Sequence, residues 1–174
     1  MEYLNEKMAL EILEAREERA DFIKSLIEKH KKTVVSVRVN YPGINKVNYK
    51  TKLIIDVAEK YVEKELNKYI KLKIKKTTAE GPSIILVMEK EPIFIKKVSV
   101  KIEEEMELGR LLDIDVYNEK GESLNREQVG VEKRRCFLCN QYAHICSRSK
   151  AHSIEEIEKY IENTLNIYLE KTNG

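Results

Sequence analysis

Ile70-Lys71-Leu72-Lys73-Ile74-Lys75 alternates strictly between apolar side chains and lysines. A period of two puts the apolar residues on one face and the lysines on the other, which describes a strand and not a helix. A strand with one wet face fits an antiparallel sheet, and a row of lysines is a common way to keep an edge strand from pairing with another chain. The stretch therefore predicts an antiparallel edge strand whose lysines protect the edge rather than grip phosphate. Glu80-Gly81-Pro82 turns the chain into a partner strand over residues 83–88.

The remaining periodicities extend this hairpin into a fold. Residues 6–30 read as a helix with a stripe of Ala9, Leu13, Arg16, Ala20, Ile23 and Ile27. An arginine inside such a stripe must snorkel, pair with a carboxylate or meet an anionic ligand; an internal salt bridge is the expected role of Arg16, which Arg19 flanks. Thr33–Val39 is a β-branched strand, ending in a loop in which Pro42-Gly43 marks a turn. That loop can offer backbone N–H groups to an anion beside Lys46, although an ordinary turn explains Pro-Gly equally well. A helix over 51–69 would turn Ile54, Val57, Tyr61, Leu66 and Tyr69 inward. Residues 92–106 fit a helix opened by Pro92, with Phe94, Val98 and Ile102 spaced by four, although Val98, Val100 and Ile102 also alternate as a strand would; helix is the reading taken. A strand over 108–116 follows, then a turn at Asn118–Gly121 and a short returning segment over 122–126. Ser153 with Glu156 caps a last helix that would bury Ile154, Ile157, Ile161, Leu165 and Tyr168.

The order βαββαβ predicts an α+β fold: a ferredoxin-like sandwich with helices on one face of an antiparallel sheet. An N-terminal helix, a hairpin extension and a C-terminal Cys-containing segment plus helix are added to it. The expected organisation is one domain over 1–174, with the N-terminal helix in 1–30, the α+β core in 33–130 and the Cys/Arg segment with its helix in 131–174. A net charge of +2 argues against wholesale nucleic-acid binding. No apolar run approaches the ~20 residues that span a bilayer. The first residues lack the basic-then-apolar form of a secretory signal, and three cysteines within eleven residues make a poor disulfide framework. A cytoplasmic enzyme is the expectation, with no membrane and no nucleic acid among its partners.

Two stretches carry chemistry. In Leu108-Gly109-Arg110-Leu111-Leu112-Asp113-Ile114-Asp115-Val116, Asp113 and Asp115 stand two apart on a strand and share a face. Two acids so placed repel unless a cation lies between them, and Mg²⁺ is the usual one; aspartates that simply face solvent are the plain alternative. Gly109 would allow close backbone approach, and Arg110 adds a planar fork suited to phosphate. The second stretch holds Cys136, Cys139, Cys146 and His152, the right ligand types for a Cys₃His zinc site, with His144 as another possible fourth ligand. Small buried thiols, or His152 working near the active site, are the rival readings. The basic residues around these cysteines, including Arg135 and Arg148, could instead hold a polyphosphate.

These stretches together resemble the holo-citrate lyase synthase family, the apo-citrate lyase phosphoribosyl-dephospho-CoA transferases. The likeness is carried by Leu108–Val116, Gly121, Arg135-Cys136-Phe137-Leu138-Cys139 and Cys146-Ser147-Arg148-Ser149-Lys150-Ala151-His152-Ser153. Ala15-Arg16-Glu17-Glu18-Arg19 and the Asn40-Tyr41-Pro42-Gly43 loop extend it over nearly the whole chain. One departure is Met106-Glu107, where the family pattern has His-Pro. The resemblance implies that a carrier serine attacks triphosphoribosyl-dephospho-CoA, releasing diphosphate, with the apo acyl carrier subunit of citrate lyase as partner. In that scheme Asp113 and Asp115 hold Mg²⁺, and Arg110, Arg135 and Arg148 hold the polyphosphate, with Lys46 and Arg16 as additions. A fainter similarity, Gly-Arg-x-x-Asp-x-Asp on a late strand, is to the hydroxymethyl-dihydropterin pyrophosphokinases, and supports fold and metal by analogy only.

Two other classes compete with the transferase. A zinc-stabilised nucleic-acid or protein binding module would explain the cysteines and local basic residues but leaves the aspartate pair unexplained. An assembly chaperone for citrate lyase would bind the carrier without modifying it.

Overall fold

Ser83 to Met88 shows no alternation, and the reason lies in what covers it. In the computed structural model, which describes residues 2–173, this stretch is a strand buried on both faces. The elements are α1 (Glu2–His30), β1 (Thr33–Val39), α2 (Tyr49–Leu66), β2 (Ile70–Thr78), β3 (Gly81–Met88), α3 (Pro92–Glu105), β4 (Leu112–Tyr117), β5 (Ser123–Leu124), α4 (Ala143–Ser149) and α5 (Ile154–Asn173). The sheet is five-stranded and antiparallel, in the order β2-β3-β1-β4-β5. The lysine strand lies at an edge, as its alternation requires.

Helices cover both faces, not one. Val35, Val37, Ile84, Leu86, Met88, Leu112, Ile114 and Val116 pack with α2 and α3, and Ile161 and Leu165 of α5 join them. On the opposite face Val34, Ile85 and Val87 pack beneath Ile23, Leu26 and Ile27 of α1. Adjacent apolar residues in β1 and β3 therefore demanded a helix on each side. The stripe of α1 is also turned from the expected one: Ile12, Ala15, Ile23, Leu26 and Ile27 are buried, whereas Leu13 is exposed. The stripe passes through Arg19, and Arg16 lies beside it at the surface.

Other boundaries moved for local reasons. Asn48 caps α2, accepting from the Thr51 N–H at 3.0 Å while the Thr51 hydroxyl accepts from the Asn48 N–H at 3.2 Å, so the helix starts at Tyr49. It ends at Leu66 in a 3₁₀ turn, and Tyr61 faces out while Ile55, Ala58 and Val62 face in. The lysines of β2 lie over α2, where Lys73 and Lys75 pair with Glu59. Ser153 and Glu156 cap α5 reciprocally as expected, although Ile154 is exposed. Residues 109–111 form a 3₁₀ turn ahead of β4 instead of its first part.

β5 pairs only with Val116 and Tyr117, so the outer edge of β4 is satisfied by side chains. The Ile114 N–H donates to Glu103 at 3.0 Å, the Ile114 carbonyl accepts from Lys96 at 3.3 Å, and the Leu112 carbonyl accepts from Arg134 at 2.6 Å. Glu103 is buried and pairs with Arg126 and Arg134 at 2.7 and 2.6 Å. These bonds close what would otherwise be a row of unmade backbone groups and hold rigid the strand that carries the two aspartates.

Candidate active site and metal centre

Register brings the aspartates to a partner that no local pattern reveals. In the β1–β4 ladder Asp113 lies opposite Arg38 and Asp115 opposite Ser36. Arg38 Nη2 donates to both carboxylates, at 2.9 Å to Asp115 and more closely to Asp113. The cation between the two acids is thus a guanidinium. Nη1 of the same group donates at 2.9 Å to Glu80, which the β2–β3 turn carries into the cluster. Arg19 reaches Glu80 through Nε at 2.7 Å and Nη2 at 3.2 Å, and Arg16 Nε stands 3.5 Å away. The internal pairing expected of Arg16 is therefore present, though Arg19 makes the better pair. Behind Glu80, Gly81 has φ +98°, and a Cβ there would lie 3.0 Å from the Lys46 carbonyl, so the turn needs glycine.

Burial works against the charges here and the pairing outweighs it. Burial would lower the Arg38 guanidinium, but Asp113, Asp115 and Glu80 raise it above its ordinary value. Glu80 is pulled below the usual carboxylate range: burial opposes this, and the Arg19 hydrogen bond with the charges of Arg19, Arg38 and Arg16 overcomes it. Lys46, whose ammonium donates to the Tyr41 carbonyl, is lowered by burial and by Arg16 and Arg38, against Glu80. Asp113 and Asp115 keep 43% and 29% of their side-chain surface open, so the cluster is accessible. A cleft of about 450 Å³ lies elsewhere, between the start of α2 and the β2–β3 edge, lined by Val47, Tyr49, Thr51, Ile55, Pro82 and Ser83 among others.

The second group is built locally. Arg135 bridges Tyr142, and the Cys136 N–H donates to the Gln141 carbonyl at 2.8 Å, so Cys136 and Cys139 sit in a small hairpin. α4 presents Cys146, and the chain turns back at Lys150 (φ +49°) to bring in His152. The ligand atoms of Cys136, Cys139, Cys146 and His152 all lie within 4.8 Å of one another, with the Cys139 and Cys146 sulfurs 3.5 Å apart. His152 Nε2 is buried without a hydrogen-bond partner. Against burial, the N–H groups of Leu138 and Cys139 and the neighbouring thiols draw the Cys136 thiol down to about 7. Burial and the other two thiols push the Cys146 thiol up to about 12. Three thiols and an imidazole with an unpartnered buried nitrogen, their ligand atoms grouped within 4.8 Å, fit a soft divalent metal. His144 stacks on Tyr142 and lies outside the group.

Several residues expected at the phosphates are engaged elsewhere. Arg110 Nη2 donates to the carbonyls of Arg135 and Cys136 at 3.1 and 3.2 Å, and its guanidinium lies over Phe137. Arg135 donates to the Asn140 carbonyl and covers the Tyr142 ring at 4.4 Å. Gly109 does permit close approach, but to a helix: a Cβ there would lie 2.3 Å from the Ile102 carbonyl oxygen. Gly43 (φ +66°) faces Ile154, and half-buried Pro42 precedes it, in a loop that carries Lys46 to the first cluster. Arg148 is exposed on α4 and joins no ion pair among the described residues. Asp113, Asp115, Arg16 and Lys46 are thus brought together. Arg110, Arg135 and His152 belong to the cysteine segment instead. Arg38 and Glu80 were missed by sequence reasoning; the one signal was that Ser36 and Arg38 interrupt an apolar face of β1 at a spacing of two.

The sequence model of the family described as apo-citrate lyase phosphoribosyl-dephospho-CoA transferase (CitX) matches residues 8–168, which include both clusters. The chain belongs to this family. A relative from Vibrio cholerae El Tor Inaba N16961, named "probable apo-citrate lyase phosphoribosyl-dephospho-CoA transferase", is 31% identical over 148 residues, 82% of each chain. One of the same name from Streptococcus pyogenes serotype M3 is 29% identical over 168 residues, 94% of this chain and 88% of the relative. Met106, one of the two residues singled out as a departure, is buried, and Glu107 pairs with Lys171 at 2.7 Å.

Proposed function

We propose that the protein transfers the phosphoribosyl-dephospho-CoA group from triphosphoribosyl-dephospho-CoA to a serine of the apo acyl carrier subunit of citrate lyase, releasing diphosphate. The observation that carries this reading is the family match across residues 8–168. An accessible aspartate pair ringed by Arg16, Arg19, Arg38 and Lys46 gives it a chemical site. Phosphoryl-type transfer asks a protein mainly for positioning and charge neutralisation. Asp113 and Asp115 would hold Mg²⁺, which supplies neutralisation of phosphate oxygens when bound. Lys46 and Arg16 draw the polyphosphate to the aspartates, and Arg19 orients Glu80, which in turn fixes the β2–β3 turn.

Cys136, Cys139, Cys146 and His152 would hold Zn²⁺ as a closed structural site, four protein ligands leaving no open position. Arg110 then serves the site indirectly, by tying this clasp to the turn ahead of β4, and Arg135 does so by bracing the clasp internally at the Asn140 carbonyl. The split βαβ units, with β3 between β1 and β2 and β4 beside β1, support the ferredoxin-like description. The described elements act as one transferase unit, and three free thiols suit a reducing cytoplasm.

The test is the intact mass of the apo carrier after incubation with this protein, triphosphoribosyl-dephospho-CoA and Mg²⁺. The expected result is a gain equal to the substrate less diphosphate, absent without Mg²⁺ and reduced at least about 10²-fold in rate by Asp113→Asn. No gain with folded protein and competent carrier would overturn the reading.

A further inference from the structure

Arg38 occupies the place between Asp113 and Asp115 that the reading above gives to a divalent cation. Its Nη2 serves both carboxylates and its Nη1 serves Glu80, yet its Nε is buried without a partner. Ser36 Oγ, across the ladder from Asp115, is fully buried and also without a partner. Unmade buried hydrogen bonds are costly, so this arrangement leaves free energy for a second state to recover. Glu80 does not depend on Arg38, because Arg19 already meets it with two N–H groups.

Charge points the same way. Arg16, Arg19, Arg38 and Lys46 face Asp113, Asp115 and Glu80, an excess of one positive charge. A bare divalent cation would enlarge that excess in a partly buried site, whereas a cation arriving with polyphosphate would not. A guanidinium matches carboxylate and phosphate alike, since its planar fork suits both.

We propose that Arg38 is a polyphosphate ligand held in reserve. In the free protein its guanidinium stands in for the divalent cation between Asp113 and Asp115. When metal and polyphosphate enter together it leaves the aspartates for phosphate oxygens. Metal and polyphosphate binding are then positively coupled, and each favours the state the other needs. This inference rests on the assignment of the metal to the aspartate pair.

Equilibrium dialysis of Mn²⁺ against the zinc-replete protein tests it, with inorganic tripolyphosphate as the phosphate probe. The wild type is expected to hold little Mn²⁺ alone and to gain bound Mn²⁺ when tripolyphosphate is added. Arg38→Ala, and Arg38→Met, which keeps the packed stem, should bind Mn²⁺ alone about tenfold more tightly. Both should lose most of the tripolyphosphate enhancement. Melting curves verify that at least one variant is folded. If the Arg38 variants bind Mn²⁺ no more tightly while Asp113→Asn still abolishes binding, the proposal is overturned and the metal assignment stands. If Mn²⁺ binding survives replacement of both aspartates, the metal assignment fails and takes the proposal with it.

Discussion

The charged cluster on the sheet and the cysteine clasp lie at the same end of β4, yet opposite means hold them. Arg38 and Glu80 are 42 residues apart, and Arg38 and Asp113 are 75 apart. A ladder of backbone hydrogen bonds and two apolar cores bring them together before any charge interaction counts. The three cysteines and His152 fall within seventeen positions, in a segment with one short helix and one isolated bridge. A metal bound by these four residues would cross-link a segment that has little regular structure of its own. Where packing sets the geometry, charges can be tuned against one another; where packing is thin, the ligands themselves must set it.

The sharpest way to break the first region is Glu80→Gln. Glu80 keeps only 6% of its side chain exposed and partners Arg19, Arg38 and Arg16, so the variant leaves buried guanidinium charge uncompensated. A loss of about 3 kcal/mol is expected, which is a drop of about 6–12 °C in Tm at neutral pH. The pH dependence has a definite sign. Because the folded pKa of Glu80 is depressed, its stabilisation is fully present above the ordinary carboxylate pKa and fades as pH falls through the depressed value. The gap in Tm between wild type and variant should therefore close on acidification; a gap independent of pH would refute the assignment.

The second region should yield to a high-affinity zinc chelator. Amide exchange over residues 134–152 is expected to rise on the order of 10²-fold while β1, β3 and β4 keep their protection, measured by mass spectrometry. Metal analysis should find zinc in the untreated protein. If chelation instead exposes the sheet, the clasp is part of the core and the contrast drawn above is wrong.

Lys75→Ala should do least. Lys75 sits half-exposed on the edge strand and pairs with Glu59 across to α2. A change within about 1–2 °C is expected from thermal melts, because open ion pairs gain little over their hydration. A larger drop would mean that the lysine face carries packing as well as edge protection.

Much of this was legible in the chain. Strict alternation in Ile70–Lys75 identified an edge strand, Pro92 opened a helix, and Ser153 with Glu156 capped another. The aspartate pair was legible for the same reason: residues two apart on a strand share a face whatever the fold does. The cysteine group was legible because its spacing is short. Arg110 shows the limit of that kind of reading. It sits three residues from Asp113 and was expected at the phosphates, but the 3₁₀ turn sends its guanidinium to the carbonyls of the clasp.

The sequence by itself determined the elements, the two-acid face of β4 and the chemistry of the clasp, because each depends on a period or spacing of a few residues. Only the tertiary structure decided that α1 closes the second face of the sheet and brings Arg16 and Arg19 to Glu80. It alone decided that β1 meets β4 in the register that sets Arg38 against the aspartates. A one-residue slip in that ladder would turn Arg38 to the other face, and nothing local to residue 38 records which register wins; the apolar packing of the whole sheet does.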